Sequence, residues 1–493
     1  MIEYHLRPDV HGRHDTLHGV GFNWFDYLGM GGHYAATTGE YDLSDEVAPS
    51  LDDEISWKAL LEALSRFRPG FIRFGLPADP HVREDGSFTT ETVHWERLKR
   101  LSRWAKENGC AILLDTFLIP TRFALPLPPG TTGMRQFGTR DNREYAREFV
   151  VPLLKAIAGD ADFEAVRYFN PVNEPHCYGV WDMPPDGPDT FAHYVEMYRE
   201  MRNALDAADV PRTRIGLVGL DLTFFYVNRQ IDALINHERI DPFLDAYSIH
   251  FYQLCFDHES YVVKHLPHTK EEEKEKGFWG PMGWLIDHEA RRLADYCAMR
   301  RKPLFSPEIG TFYYGWRNNP TGAASYPALL TVAEGIVRCL NVGIGSFGFW
   351  SLLNPNTIDG HWRTLGVKGG KVSYEKIPAL VRGLLSQVVR PGMKVTPMKC
   401  VAGEDEIPCL HATSLENGND VQAMILINDH PSESRIFHLH AHPSWRFEPV
   451  YRIMVTGEWQ TVVELATPLK RDEIPPFSLV IYAMERPKLI GIE

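Results

Sequence analysis

Positive charge is in short supply in this chain. Its 51 lysines and arginines face 65 aspartates and glutamates, for a net charge of −14. The cationic face that nucleic acid or an anionic membrane requires is therefore not expected. Long apolar runs are missing as well, and none approaches the roughly 20 residues needed to cross a bilayer. Met1 to Val10 has neither the basic start nor the apolar core of a secretion signal. The seven cysteines are scattered, odd in number and form no C-x-x-C pair, which argues against a disulfide framework and for the reduced thiols of a cytoplasm. No Gly-rich turn follows the first predicted strand, so the main sign of a dinucleotide-binding open sheet is absent.

What is present is a regular alternation of strands and helices. Short apolar runs predict strands at His18 to Phe25, Phe71 to Leu76, Ala111 to Phe117, Val166 to Val172, Arg214 to Leu220, Asp245 to Tyr252, Pro303 to Gly310 and Ser346 to Leu352. Between them lie stretches of helical spacing, such as Asp52 to Phe67 with an aspartate as its cap. The expected fold is a (β/α)8 TIM barrel over residues 1–390. Past Pro391 the texture changes to short strands and turns such as Glu416 to Asp420, so residues 395–493 are expected to form a small antiparallel β-sandwich. The charge run KEEEKEKG, from Lys270 to Gly277, reads as a solvated helix end.

A barrel of parallel strands carries its chemistry where the strands end. Strand four runs into Asn173-Glu174-Pro175, and strand seven delivers Glu308. Strand six ends with His250 and Tyr252, which share one side because they are two residues apart. Arg73 lies in strand two, where an inward cation needs a carboxylate, and Glu308 is the natural candidate. Trp350 ends strand eight. A lone glutamate at a strand end is usually a capping or surface residue, but two glutamates with these neighbours suit cleavage of a glycosidic bond. That reaction needs one acid to protonate the leaving oxygen and one carboxylate to meet the oxocarbenium-like centre. Pro175 is expected to bias Glu174 toward extended backbone.

These motifs resemble clan A of the glycoside hydrolases. The Asn-Glu-Pro end of strand four and the glutamate ending strand seven look like that clan. The His-x-Tyr of strand six, the FWSL of strand eight and the arginine of strand two are similar to its family 5, with family 39 also open. The resemblance implies a retaining enzyme acting on β-linked glycosides, with Glu174 as acid/base and Glu308 as nucleophile. It further implies that Asn173 holds the sugar 2-hydroxyl, that Arg73 and Tyr252 hold Glu308, that His250 sits beside Glu174 and that Trp350 floors the pocket. Its partner would be a small carbohydrate, and no cofactor or metal is implied.

Charge reasoning separates the two glutamates. Glu308 beside Arg73 is expected to have a lowered pKa, while Glu174, lacking an obvious cation, is expected to be raised by its neighbour. Asn23, Trp24, Asp26, His33 and Trp181 are candidate subsite linings, each equally suited to a structural role. His438, His440 and His442 have the spacing of a metal site but lack an acidic or cysteine ligand, so a solvated strand face is expected. Cys177 reads as a loop residue. Two rival functions stay open: a sugar-binding barrel without turnover, and a transglycosylase using the same covalent intermediate.

Overall fold

The computed structural model describes residues 2–25, 49–125, 138–175, 190–222, 231–232, 234–235, 238–255, 285–313, 325–353, 363–402 and 409–488, apart from positions 419, 441, 446 and 467. Eight parallel strands close on themselves. In chain order they are Gly19–Phe25, Phe71–Gly75, Ala111–Asp115, Val166–Asn170, Gly216–Leu222, Ala246–Ile249 continued by Phe251–Cys255, Leu304–Tyr313 and Ser346–Phe349. Closure comes from the last strand, which pairs with both the first and the seventh. These are strands one to eight below.

Alternation along the strands builds two different interiors. Phe22, Ile72, Phe74, Ile112, Leu114, Phe169 and Leu217 point outward into one large apolar core shared with the helices. Inside the barrel, Phe71, Leu113, Val218, Ala246 and Phe305 form a separate apolar plug, with Tyr168 packed against it. Two residues further along the same strands, the inward positions become Arg73, Asp115, Asn170 and Ser248, all fully buried. The barrel thus passes from apolar floor to polar rim within one pleat repeat.

The helices follow local sequence rules. Glu54–Phe67 starts where Asp53 accepts a hydrogen bond from the Ser56 N–H at 3.0 Å, and ends where Arg68 turns left-handed. Its Trp57, Leu60, Leu64 and Phe67 recur at helical spacing and are buried. Trp24 packs on Trp57 and Phe74, with ring centroids 5.7 and 5.9 Å away. It is a wall residue under this helix, not a subsite lining. Among the described residues, no helix is long and apolar enough to cross a membrane.

The second unit is antiparallel in the main, ordered from Trp459–Glu464 through Tyr451–Thr456, Ser478–Ala483, Asp420–Asn428, Leu410–Asn417 and Lys394–Val401 to Ile2–Pro8, Arg435–Leu439 and Arg471–Ile474. Here the expected boundary needs correcting. Ile2–Pro8, placed with the barrel by sequence position, runs antiparallel to Lys394–Val401 and parallel to Arg435–Leu439. The reason is burial: Tyr4 and Leu6 enter the core of this unit beside Leu410, Met424, Leu426, Phe437 and Tyr482. The opposite face of the sheet, through Ala423, Ile425 and Ile427, belongs to the barrel core. The helix Tyr326–Val342 forms the seam: Tyr326 Oη donates to Val455 O at 2.5 Å and Asn341 Nδ2 to Ala412 O at 2.8 Å.

Candidate active site

Arg73 is the hub at the carboxyl-terminal end of the barrel. Its guanidinium, wholly removed from solvent, donates to Asp115 Oδ2 through Nε at 2.9 Å and Nη2 at 2.5 Å. Nη2 also reaches Asn173 Oδ1 at 2.5 Å and Asp221 Oδ2 at 2.8 Å, while Nη1 reaches Glu308 Oε2 at 2.6 Å. One cation from strand two therefore gathers side chains from strands three, five and seven and from the turn after strand four. Asn23 completes the ring, accepting from Arg73 Nη1 at 3.4 Å and donating to Pro307 O at 2.8 Å and Gly348 O at 3.0 Å.

The two glutamates face one another across this hub. Oxygens of Glu174 and Glu308 and a ring nitrogen of His250 all lie within 4.8 Å of one another. Each glutamate is only 6% exposed. Glu308 Oε1 accepts a short hydrogen bond from the Tyr252 hydroxyl. Gly310 makes room for that ring, since a Cβ there would stand 2.8 Å from Tyr252 Cε1. Glu174 Oε1 lies 2.7 Å from His250 Nδ1, and His250 Nε2 lies 3.4 Å from Asp221 Oδ2. His250 sits in the break between the two halves of strand six, its backbone N–H donating to Leu222 O at 2.8 Å.

Backbone geometry at the rim departs from simple expectation. Glu174 has φ of 44°, a left-handed conformation instead of the extended one anticipated before Pro175. The Asn173 N–H donates to Phe117 O at 2.9 Å, so the loop after strand three fixes the chain just before the turn. Asp221 is also left-handed, at φ 47°. Such residues cost about 1–3 kcal/mol each and persist only where the surroundings hold them.

The charges shape one another. Burial works against the charge of Arg73, yet Asp115, Asp221 and Glu308 outweigh it and hold the group above its ordinary value. Burial likewise opposes a charged His250, but Asp221 and Glu308 overcome it and push this histidine up to about 10. Glu308 departs from expectation: burial lifts its carboxyl above the usual range, with His250 and Arg73 pulling down and Glu174 adding to the rise. Arg73 does act to lower Glu308, but burial is the larger effect and decides the direction. Asp221 is opposed by burial but is drawn below its ordinary value by His250 and Arg73.

Of the residues named from sequence, the structure brings together Arg73, Asn173, Glu174, His250, Tyr252 and Glu308. Trp350 follows strand eight at the same rim, half-buried, its N–H donating to Ile309 O at 3.1 Å. Asp26, His33, Cys177, Trp181 and the 270–277 charge run lie outside the described residues. Asp115, Asn170 and Asp221 were missed. A polar side chain at or next to the end of an otherwise apolar strand, as in GLVGLDL, was the available signal. The expected solvated histidine face is more elaborate than anticipated: His440 Nε2 lies 2.8 Å from His5 Nδ1 and His438 Nε2 3.3 Å from Glu3 Oε2, both partners coming from the N-terminal strand.

Among the described residues, two groups of side chains have the closeness of a metal site, Glu174 with His250 and Glu308, and Glu334 with His411 and Asp429. Each already contains a guanidinium. Arg73 is 2.6 Å from Glu308, and Arg338 Nη2 is 3.4 Å from His411 Nε2, so a divalent ion would meet a fixed cation in either place.

The sequence matches no protein-family model and no curated protein. Solved structures do resemble the chain. A glycoside hydrolase family 30 subfamily 8 xylanase from Clostridium acetobutylicum aligns over 97% of this chain and 98% of its own, with a TM-score of 0.61 at 11% identity. A family 51 arabinofuranosidase from Xanthomonas axonopodis pv. citri aligns over 98% and 99%, with 0.60 at 13%. A conserved exported protein from Bacteroides fragilis aligns over 97% and 99%, also with 0.60 at 13%. The likeness spans both units of the chain, and it is one of fold: a closed parallel (β/α)8 barrel joined to an antiparallel β domain.

Proposed function

We propose that this chain is a retaining glycoside hydrolase acting on β-linked glycosides or short oligosaccharides. The observation that carries the reading is the pair of buried carboxylates, Glu174 and Glu308, whose oxygens approach within 4.8 Å. That closeness favours the ~5–5.5 Å carboxyl separation of direct attack on a sugar over the ~6.5–9.5 Å that leaves room for the water of an inverting enzyme. The names of the xylanase and arabinofuranosidase neighbours agree with a carbohydrate substrate.

In the first step a Glu308 oxygen attacks the anomeric carbon, the glycosidic C–O bond breaks, and Glu174 gives its proton to the leaving oxygen. In the second, water attacks the same carbon, the bond to Glu308 breaks, and Glu174 takes the proton of the water. Arg73 and the Tyr252 hydroxyl hold both oxygens of Glu308 in line. With Oδ1 of Asn173 engaged by Arg73, its amide hydrogens are the group available to a sugar 2-hydroxyl. Trp350 is the aromatic floor by resemblance. Glu174 becomes free to act as base once glycosylation removes the negative charge of Glu308.

The test is a panel of nitrophenyl β-glycosides, with the anomer of the first-formed product followed by NMR. Retention is expected, and inversion would overturn the mechanism. Transglycosylation is distinguished by adding an acceptor sugar and analysing the products. A cytoplasmic location, with imported small glycosides as substrates, fits the scattered cysteines, whereas the exported neighbour argues for the other side of the membrane; cell fractionation decides.

A further inference from the structure

The carboxylate of Asp221 is fully buried, yet no step of the hydrolysis uses it. Its Oδ2 accepts from Asn170 Nδ2 at 2.6 Å and from Arg73 Nη2 at 2.8 Å, and lies 3.4 Å from His250 Nε2. Its backbone N–H donates to Ser248 Oγ at 2.9 Å. The side chain is thereby fixed from strands two, four and six. An ionised carboxylate with no access to water must be matched by nearby cations. Arg73 supplies only part of that match, because it also serves Asp115 and Glu308.

We propose that Asp221 is a positioning residue for the acid/base, acting through His250. This rests on the assignment of Glu174 as acid/base. With Asp221 at Nε2, the imidazole carries a proton on each nitrogen, and its Nδ1–H donates to Glu174 Oε1. That hydrogen bond occupies one oxygen of Glu174 as an acceptor, so the transferable proton resides on the other, Oε2. Among the described residues, the acidic groups facing the ring are Glu174 from the end of strand four, Asp221 from strand five and Glu308 from strand seven, with His250 Nδ1 3.7 Å from Glu308 Oε2. All three favour the charged ring, and Asp221 is the foremost of them in holding His250 well above its ordinary value. After glycosylation of Glu308, the same ring stays beside the Glu174 carboxylate that must accept the proton of water.

The experiment uses Asp221→Asn in the full chain, with Asp221→Gly as a second variant that suits the left-handed backbone at this position. Two readouts are needed. The first is ¹⁵N NMR of the histidine rings at about pH 8, well above the ordinary histidine pKa, with His250 assigned by difference from His250→Gln. Both ring nitrogens should be protonated in the parent and one of them bare in the Asp221 variants. The second is turnover of β-glycosides with good and poor leaving groups. Poor leaving groups should lose about 10-fold more than dinitrophenyl glycosides, a fraction of the 10²–10⁴ that a general acid supplies. The double variant with His250→Gln should cost no more than the worse single variant. A doubly protonated His250 in the variants, an equal loss for both leaving groups or additive losses would each overturn the role of Asp221. If the parent enzyme cleaved no β-glycoside while the NMR result held, the hydrolase reading would fail and the coupling of Asp221 to His250 would stand.

Discussion

Glu308 and Tyr252 are joined by a short hydrogen bond from the phenol to Oε1, made possible by a glycine two positions past the glutamate. The phenol stays neutral, since burial and then the charge of Glu308 hold it well above the ordinary tyrosine value. It can therefore donate throughout the working range. The bond also acts to lower the pKa of Glu308, against the burial that raises it.

Tyr252→Phe should accordingly slow turnover by about 10²-fold, in line with loss of one oriented donor at a reacting charge. Glu308 must be ionised to attack, and losing the donor raises its pKa further. The acid limb of the pH profile of kcat/KM should move to higher pH, and an unmoved limb would refute the coupling. Gly310→Ala, which crowds the ring without removing the hydroxyl, should shift the limb in the same direction.

The two glutamates should respond differently to truncation. Glu308→Ala is expected to abolish turnover of activated and natural substrates alike. Glu174→Ala should retain the first step for good leaving groups and form a glycosyl azide when azide is added. Full activity in either variant would remove it from the assignment.

Removing the hub should cost stability as well as activity. Arg73→Met leaves Asp115, Asp221 and Glu308 without their shared cation. Breaking a buried ion pair in this way costs about 3–5 kcal/mol, to be read from urea denaturation of parent and variant. A loss below about 1 kcal/mol, the range of exposed pairs, would show that the cluster relaxes or takes up protons.

His250 also predicts a dependence of stability on pH. Its folded value, pushed up to about 10, exceeds the ordinary histidine value of 6.5. The folded state thus holds a proton that the unfolded state releases. The contribution is complete below the unfolded value and fades as pH rises through the folded one. Denaturation midpoints should fall across that window in the parent, and His250→Gln should flatten the fall.

The N-terminal strand is a structural part of the β domain and should behave as one. Leu6→Ala empties a fully buried position between Lys394–Val401 and Arg435–Leu439. The expected cost is about 2–5 kcal/mol, measured by thermal or chemical unfolding. A neutral effect would mean that the strand is dispensable.

Much of the architecture could be read residue by residue. The apolar runs at Phe71, Ala111, Val166 and Ser346 became strands within a few residues of their expected limits, because a strand buried on both faces needs continuous β-branched and aromatic residues. Ile2–Pro8 was missed as a strand, although EYHLR alternates, because its partners lie some four hundred positions away and no local feature names them.

Local patterning was enough to establish eight strands alternating with helices and to assign Glu174 and Glu308 to one rim, since both follow from periodicity and from where apolar runs give way to polar residues. Which side chains turn inward was settled by the assembled barrel. Counting in twos from Val218 puts Leu220 inside and Asp221 outside; counting from Phe305 turns Glu308 away. Register shifts between Gly219 and Leu222, and between Ser306 and Ile309, reverse both. Facing depends on hydrogen-bond register with neighbouring strands, a property of the closed sheet and not of any one segment. The sharing of one arginine by three carboxylates has the same origin, for it exists only where four strands converge.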